Sequence, residues 1–418
     1  MRVSSVKNST NKAENITISV DLALDIIKDK ISPLHNQQTI ILPNALGKTL
    51  AEDVISPMNV PVYQNSAMDG YAINSQDIPK QGSASLKNIG SSFAGTPFSG
   101  ILSSGECIRI MTGAKIPENI DTVIEQEKVT INEDLVTISA DIRPGQNVRN
   151  IGEDVAKNSV VLAAGQVLGA AQMGVLASLG LASLKVKRQP RVAIFSSGDE
   201  IRSIGESLDG SQIYDSNRYT ISGMLKDMDV DVIDMGVIPD NKASITNALT
   251  EAANEADMII TSGGVSVGDA DYIKQCLDEL GQTHFNKLHL KPGRPLTFGQ
   301  INNTHFFGLP GNPVAVMVTF MYFVRPAIKL LMGHKNINLL DLEIPCQTQL
   351  RKLPGRTEIQ RGILENDPEQ GLQVKTTGKQ GSGVLSSMSK GNCFIFLDHE
   401  SESVAVGDKV LVHPFSMF

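Results

Sequence analysis

Met258-Ile259-Ile260-Thr261-Ser262-Gly263-Gly264-Val265-Ser266-Val267-Gly268-Asp269-Ala270-Asp271 is a short apolar run that breaks into a loop carrying three glycines and two carboxylates. Ile273, Cys276, Leu277 and Leu280 follow at i, i+3, i+4 and i+7, the one-face spacing of an amphipathic helix, and Gly281 stops it. The stretch therefore predicts strand, loop and helix, the repeating unit of an α/β sheet. Glycines allow positive φ and bring backbone N–H groups close to a ligand, and the following helix N-terminus adds partial positive charge, so Ser262, Gly263, Gly264 and Ser266 suit an anionic guest. Downstream, Lys291-Pro292-Gly293-Arg294-Pro295 sets two cations on a stiff turn with Lys287 just before it. Leu309-Pro310-Gly311-Asn312-Pro313 then ends a strand, with Asn312 placed to cap a helix and Pro313 at its first position. Three such loops at carboxyl ends of strands mark a ligand-binding floor, because open α/β sheets bind ligands there.

Working outward, strand and helix signals alternate from Arg191 to about Gly333, which predicts a Rossmann-like domain with a parallel-rich sheet. Ser197-Gly198-Asp199-Glu200 forms a loop after its first strand, Tyr214-Asp215-Ser216-Asn217 precedes a helix, and Pro239-Asp240-Asn241 precedes another. Pro326 is expected to kink or end the last helix. Beyond Asn336 five strand-like runs, 344–350, 358–364, 372–377, 393–397 and 404–412, predict a C-terminal small β-barrel. On the other side, 57–152 carries short β-like runs broken by Gly, Pro, Ser and Asn. Ser66-Ala67-Met68-Asp69-Gly70-Tyr71-Ala72, in which Asp-Gly reads first as a turn, opens this mainly β module; Thr112-Gly113-Ala114 lies within it and Arg149-Asn150-Ile151-Gly152-Glu153-Asp154 closes it. Ser19 caps a helix whose apolar face is Val20, Leu24, Ile27 and Ile31, and this helix is expected to pair with 155–180.

The expected chain is thus multidomain α/β plus β: a discontinuous helical linker domain (15–56 and 153–187), an inserted mainly β module (57–152), the α/β domain (188–335) and the C-terminal domain (336–418). The formal net charge of −8 and pI near 5.5 disfavour a nucleic-acid surface. The polar first fifteen residues hold no signal-peptide core, and no run reaches the ~18 uninterrupted apolar residues of a membrane span. Cys107, Cys276, Cys346 and Cys393 are scattered without a C-x-x-C pair, which argues against disulfides and thiolate zinc and points to the reducing cytoplasm.

Carboxylates at Glu200, Asp240, Asp269 and Asp271 beside cations at Lys287, Lys291 and Arg294 suit magnesium with a phosphate or another oxyanion, since magnesium takes oxygen ligands and needs only one or two carboxylates. P-loop and H-E-x-x-H motifs are absent from the sequence, so positioning by metal and charge is favoured over a covalent nucleophile.

The motifs at 66–72, 151–154, 262–268 and 309–313, in this order, resemble those of the molybdopterin molybdenumtransferases, including the carboxy-terminal part of gephyrin-type proteins, and the resemblance runs from about Ser19 to Phe415. It implies magnesium-dependent insertion of molybdenum from molybdate into adenylylated molybdopterin with release of AMP. It also implies a homodimer whose active cleft lies between the α/β domain of one subunit and the β module of the other, with other molybdenum-cofactor biosynthesis proteins as further partners. Asp69, Thr112 and Asp154 match cleft positions, Glu200, Asp240 and Asp271 the acidic and metal-site positions, Lys287, Lys291, Pro310 and Pro313 the floor, and Arg361 and Ser382 positions on the C-terminal domain. Arg294 stands where Lys is also common, and Ser197 where the family often has Thr. Two rival readings are a molybdopterin adenylyltransferase, which lacks the flanking domains, and a non-catalytic cofactor carrier or scaffold.

Overall fold

A computed structural model of the chain describes residues 16–263 and 272–415. It divides into two compact units, one drawn from the described residues of Met1–Gln38, Gly47–Thr49 and Lys187–Phe418, the other from Thr39–Leu46 and Leu50–Val186.

The first unit opens with α1 (Val20–Lys30), capped by Ser19, whose Oγ accepts the Leu22 amide at 3.2 Å. Its buried face, Val20, Ala23 and Ile27, joins the same core as Ile328 and Leu331. The expected partnership of this helix with 155–180 is therefore not what forms. Its apolar stripe is used by the α/β core instead.

The sheet of this unit has six strands: β1 (Arg191–Ser197), β2 (Asp231–Ile238), β3 (Met258–Ser262), β4 (Gln282–Phe285), β5 (Thr297–Ile301) and β6 (Thr304–Leu309). Their order is β2-β1-β3-β6-β5-β4. The first four run parallel, while β5 and β4 are added antiparallel. Strand alternation explains why both faces are buried. Ile194, Ile260 and Phe307 point to one face with α2 (Ser216–Lys226), and Ala193, Phe195, Ile259 and Phe306 to the other with α3 (Lys242–Glu255) and α4 (Tyr272–Leu280). The order reverses at β1, whose neighbours β2 and β3 continue the chain on opposite sides, so the crevice beyond β1 and β3 is the expected ligand position.

After β6 the chain enters α5 (Pro313–Thr319), passes a π-helical segment at Phe320–Val324 and leaves in α6 (Arg325–Leu331). Pro326, expected to kink or end the helix, lies in the first turn of α6 directly after the π-helical segment. A proline ring clashes with the carbonyl four residues earlier, here Tyr322, and the wider π turn relieves that conflict without a break. The run Pro313–Leu331 is long and apolar enough to cross a membrane, yet it is mostly buried in this unit's own core.

The C-terminal strands are β7 (Leu342–Pro345), β8 (Thr357–Asp367), β9 (Gly371–Thr376), β10 (Cys393–Leu397) and β11 (Lys409–Pro414). Hydrogen bonding links them as β9-β8-β10-β11-β7, and a single bridge from Cys346 to Val374 brings the end of β7 back to β9. The two-residue strand Leu290–Lys291, from the α/β loop, pairs with Thr357 and Glu358 at the start of β8. This shared strand makes the α/β sheet and the C-terminal sheet parts of one unit.

The second unit holds a mixed six-stranded sheet ordered Thr122–Glu125, Gly70–Ile73, Glu106–Ile110, Ser83–Ser92, Leu135–Ser139, Thr130–Asn132. Gly70 is a strand residue here, not a turn. A Cβ on it would lie 1.8 Å from the Ile124 carbonyl oxygen, so the glycine permits strand contact. A separate cluster of Ala45, Leu50, Leu162, Leu168, Leu176 and Val186 joins the two flanks of this insertion. All four cysteines are free and buried; burial pushes the Cys107 and Cys393 thiols up to about 12.

Candidate active site

The carboxyl ends of β1, β2, β3 and β6 open into a cleft of about 890 Å³ in the first unit. Ser197, Glu200, Asp240, Gly263 and the Pro310–Asn312 turn line it from the α/β side. Lys291 and Arg294, from the loop before β5, and Arg356, Glu358 and Ser382, from the C-terminal segment, complete the lining.

Each wall has a local cause. The Ser197 hydroxyl at the end of β1 donates to Asp240 Oδ1 at 3.0 Å, which orients this carboxylate from the neighbouring strand. Gly263 has φ +85°, and a Cβ there would come within 2.6 Å of the Ser197 carbonyl oxygen, so only glycine lets the β3 loop lie against β1. Asn217, near the start of α2, donates to Ser262 Oγ at 2.7 Å and to the Gly311 carbonyl at 2.8 Å. One side chain therefore ties the β3 and β6 loops together.

On the far wall Glu358 is buried, and both its oxygens are engaged, one by the Lys291 ammonium at 3.1 Å and the other by Gln360 Nε2 at 3.0 Å. Lys291 thus enters the cleft already partly neutralised. Arg294 and Arg356 are exposed, and neither guanidinium has a side-chain partner among the described residues. The cleft lining brings these two cations together with Glu200 and Asp240.

Arg361, expected to face an oxyanion, is fully buried instead. Its guanidinium donates to the carbonyls of Gln380 at 3.0 Å, Lys379 at 3.1 Å and Gly381 at 3.0 Å, and to Ser387 Oγ at 3.0 Å. The next carbonyl, Ser382, accepts the Val314 amide of α5 at 3.2 Å. Four consecutive carbonyls are held, three by one arginine, and Ser382 is presented to the cleft as a result. Asn312 sits at the N-cap position, and among the described residues its side chain makes no capping bond.

Other expected residues are distributed as follows. Ser262 is buried at the end of β3 beneath the cleft, Pro313 is half-buried behind Asn312, and Lys287 is half-buried and does not line the cleft. Gly264, Ser266 and Asp271 lie outside the described residues. In the second unit, Asp69 Oδ1 accepts both the Thr112 amide at 2.8 Å and the Thr112 hydroxyl at 2.7 Å, and these bonds hold its carboxyl below the usual carboxylate range. Asp154 sits on a separate turn, anchored by its amide to the Val60 carbonyl at 3.0 Å. Among the described residues no three His, Cys, Asp or Glu side chains gather as a metal cluster.

Three family models match in order: "MoeA N-terminal region (domain I and II)" over 18–180, "Probable molybdopterin binding domain" over 193–330, and "MoeA C-terminal region (domain IV)" over 343–415. A molybdopterin molybdenumtransferase of Haemophilus influenzae is 45% identical over 90% of this chain and 93% of its own length. The chain belongs to the molybdopterin molybdenumtransferase family. A gephyrin of Dictyostelium discoideum is 32% identical, matching 94% of this chain and 61% of that longer protein. The solved MoeA protein of Pyrococcus horikoshii OT3 superimposes with a TM-score of 0.84 at 28% identity, covering 96% of this chain and all of that one. The match described as molybdopterin binding in this family spans the strands that floor the cleft.

Glu358, Arg356 and Asn217 are the site residues that the sequence did not single out. Asn217 stood in a recognised pre-helix motif, but Glu358 faces the cleft only through the register of Leu290–Lys291 against β8, which leaves no local signal.

Proposed function

We propose that this protein transfers molybdenum from molybdate to adenylylated molybdopterin in a magnesium-dependent reaction that releases AMP, and that it acts as a cytoplasmic homodimer. The observation that carries the reading is that Glu200 and Asp240 line one cleft at the sheet's switch point together with Arg294, Arg356 and the Lys291–Glu358 pair. Both partners of the reaction are anions, so their approach needs fixed positive charge, and arginine suits phosphate and oxyanion geometry. Arg294 would hold the phosphate or molybdate oxygens. Ser382, on its clamped loop, would donate to one of them, and the close Gly263 turn would admit the ligand to the backbone of β3.

The donor set fits magnesium, since the two carboxylates supply oxygen ligands and the ion retains waters and shares phosphate oxygens. Glu200 and Asp240 would hold it with Asp271, and it would supply Lewis-acid charge neutralisation at the phosphate. Ser197 keeps Asp240 oriented for that task. Asp69, Thr112 and Asp154 belong to the reading as the contribution of the second unit, supplied by the partner subunit.

The test is AMP release from adenylylated molybdopterin with magnesium, with and without molybdate. Release that requires molybdate and yields loaded cofactor is expected, and Asp240→Asn should slow it about a hundredfold, as loss of one fixed electrostatic group does. ATP-dependent adenylylation in place of release would favour an adenylyltransferase. Binding without turnover would favour a carrier.

A further inference from the structure

A second cavity of about 670 Å³ adjoins the cleft and shares Lys291, Arg356 and Glu358 with it. Its other walls include Arg351, Lys352 and Ser403. Four cations, Lys291, Arg351, Lys352 and Arg356, surround one carboxylate, Glu358, in a chain whose net charge is −8.

Two of these cations are already engaged. Lys291 pairs with Glu358, and the buried Lys352 ammonium donates to the carbonyls of Ser401 at 2.8 Å, His399 at 3.4 Å and Leu353 at 3.5 Å. Asp398 and Glu358 act on Lys352 electrostatically, though burial outweighs them and lowers its pKa. Arg351 and Arg356 are exposed, and among the described residues neither guanidinium has a side-chain partner.

The loop that carries them is held in place. Leu350 and Val404 exchange backbone bonds, the Lys352 amide donates to Ser403 Oγ at 3.2 Å, and Gly355, at φ +103°, donates its amide to the His399 carbonyl. Burying an ammonium is costly unless it is fully bonded, and here the bonded ammonium fixes a loop bearing two further cations. Solvated surface arginines need neither a concave wall nor such an anchor.

We propose that this cavity is an anion site for a phosphoryl-class dianion, held by Arg351 and Arg356 beside the substrate cleft. Paired guanidiniums on a fixed loop match the oxygens of a phosphate. The Lys291–Glu358 pair forms the wall between the two cavities, so an anion here lies next to a cation of the cleft.

The experiment is calorimetric titration of inorganic phosphate, and separately of AMP, into the full chain at low ionic strength. Arg351 lines only this cavity and Arg294 only the cleft. Arg351→Gln should weaken the phosphate affinity about tenfold or more, the loss expected for one charge-assisted contact, whereas Arg294→Gln should leave that component in place. Arg351 is exposed, and the melting midpoint of Arg351→Gln should equal the parent's. If AMP displaces phosphate and is weakened by Arg351→Gln, the dianion is a nucleotide phosphate; if phosphate binds there without competition, it is a free dianion. Parent-like phosphate titration of Arg351→Gln, or no phosphate uptake by the parent at millimolar concentration, overturns the proposal. None of these readouts requires turnover, so they stand apart from the test of the transferase reading.

Discussion

Arg361 shows how a charged residue can serve a site that it does not touch. Its side chain is fully buried and its bonds go to three successive carbonyls and one hydroxyl of the segment that delivers Ser382. Buried acceptors left without donors cost about 1–3 kcal/mol each. Arg361→Met should therefore lower unfolding stability by roughly 3 kcal/mol, allowing for partial rescue by water, and reduce AMP release in the same variant. Arg361→Lys should fall between, because an ammonium lacks the planar reach to serve all these acceptors. Urea unfolding and initial rates on the same preparations decide the matter. A large loss of rate with unchanged stability would show that Arg361 meets substrate directly, and the positioning role would be wrong.

At the scale of elements, the strand-loop-helix reading of 258–280 was legible because apolar period and glycine punctuation coincide there; β3 and α4 form at those places. The antiparallel direction of β5 and β4 was not, since it is set by pairing across the sheet and not by the residues of Thr297–Ile301 themselves. Glu358 carries no local signal for a related reason. Its partner Lys291 is 67 residues away, and only the cross-domain strand pairing brings the two together. Arg361 was picked out by family pattern, but its burial follows from the sheet it sits in, which periodicity does not show. β6 adds a titration that its sequence leaves invisible. Burial, reinforced by the neighbouring His284, lowers the His305 pKa to about 4, and its Nδ1 has no hydrogen-bond partner among the described residues. A histidine depressed in the folded state leaves the unfolded chain binding more protons between its ordinary value of about 6.5 and about 4. Its contribution is therefore complete above pH 6.5 and is lost as pH falls towards 4, to the extent of roughly 3 kcal/mol. His334, lowered to about 4 by burial and by Lys329, acts in the same direction. His305→Phe removes one titrating ring while keeping an aromatic against Phe298. The drop in urea midpoint between pH 7.5 and pH 5 should be smaller in that variant than in the parent, and an equal drop would exclude His305 as a source of acid sensitivity.

At the scale of the molecule, the proposed reaction assigns one set of residues to each compact unit: Glu200 and Asp240 to the first, Asp69 and Thr112 to the second. The homodimer reading says that an active cleft takes the first set from one subunit and the second set from its partner. Two variants that are each inactive then become informative together. In a dimer of Asp69→Asn with Asp240→Asn, one cleft receives both altered residues and the other receives neither. Random association of equal amounts makes half of the dimers mixed, so about a quarter of all clefts are intact, as isologous two-fold pairing requires. Co-expressed or co-refolded mixtures should accordingly recover about a quarter of the parent's molybdate-dependent AMP release, whereas each variant alone should stay near zero. If both sets came from one subunit, every cleft in the mixture would carry one altered residue and no activity would return. Recovery that appears only after subunits have exchanged, and not on simple mixing of preformed dimers, would tie the regained activity to the shared cleft and not to a trace of unaltered protein.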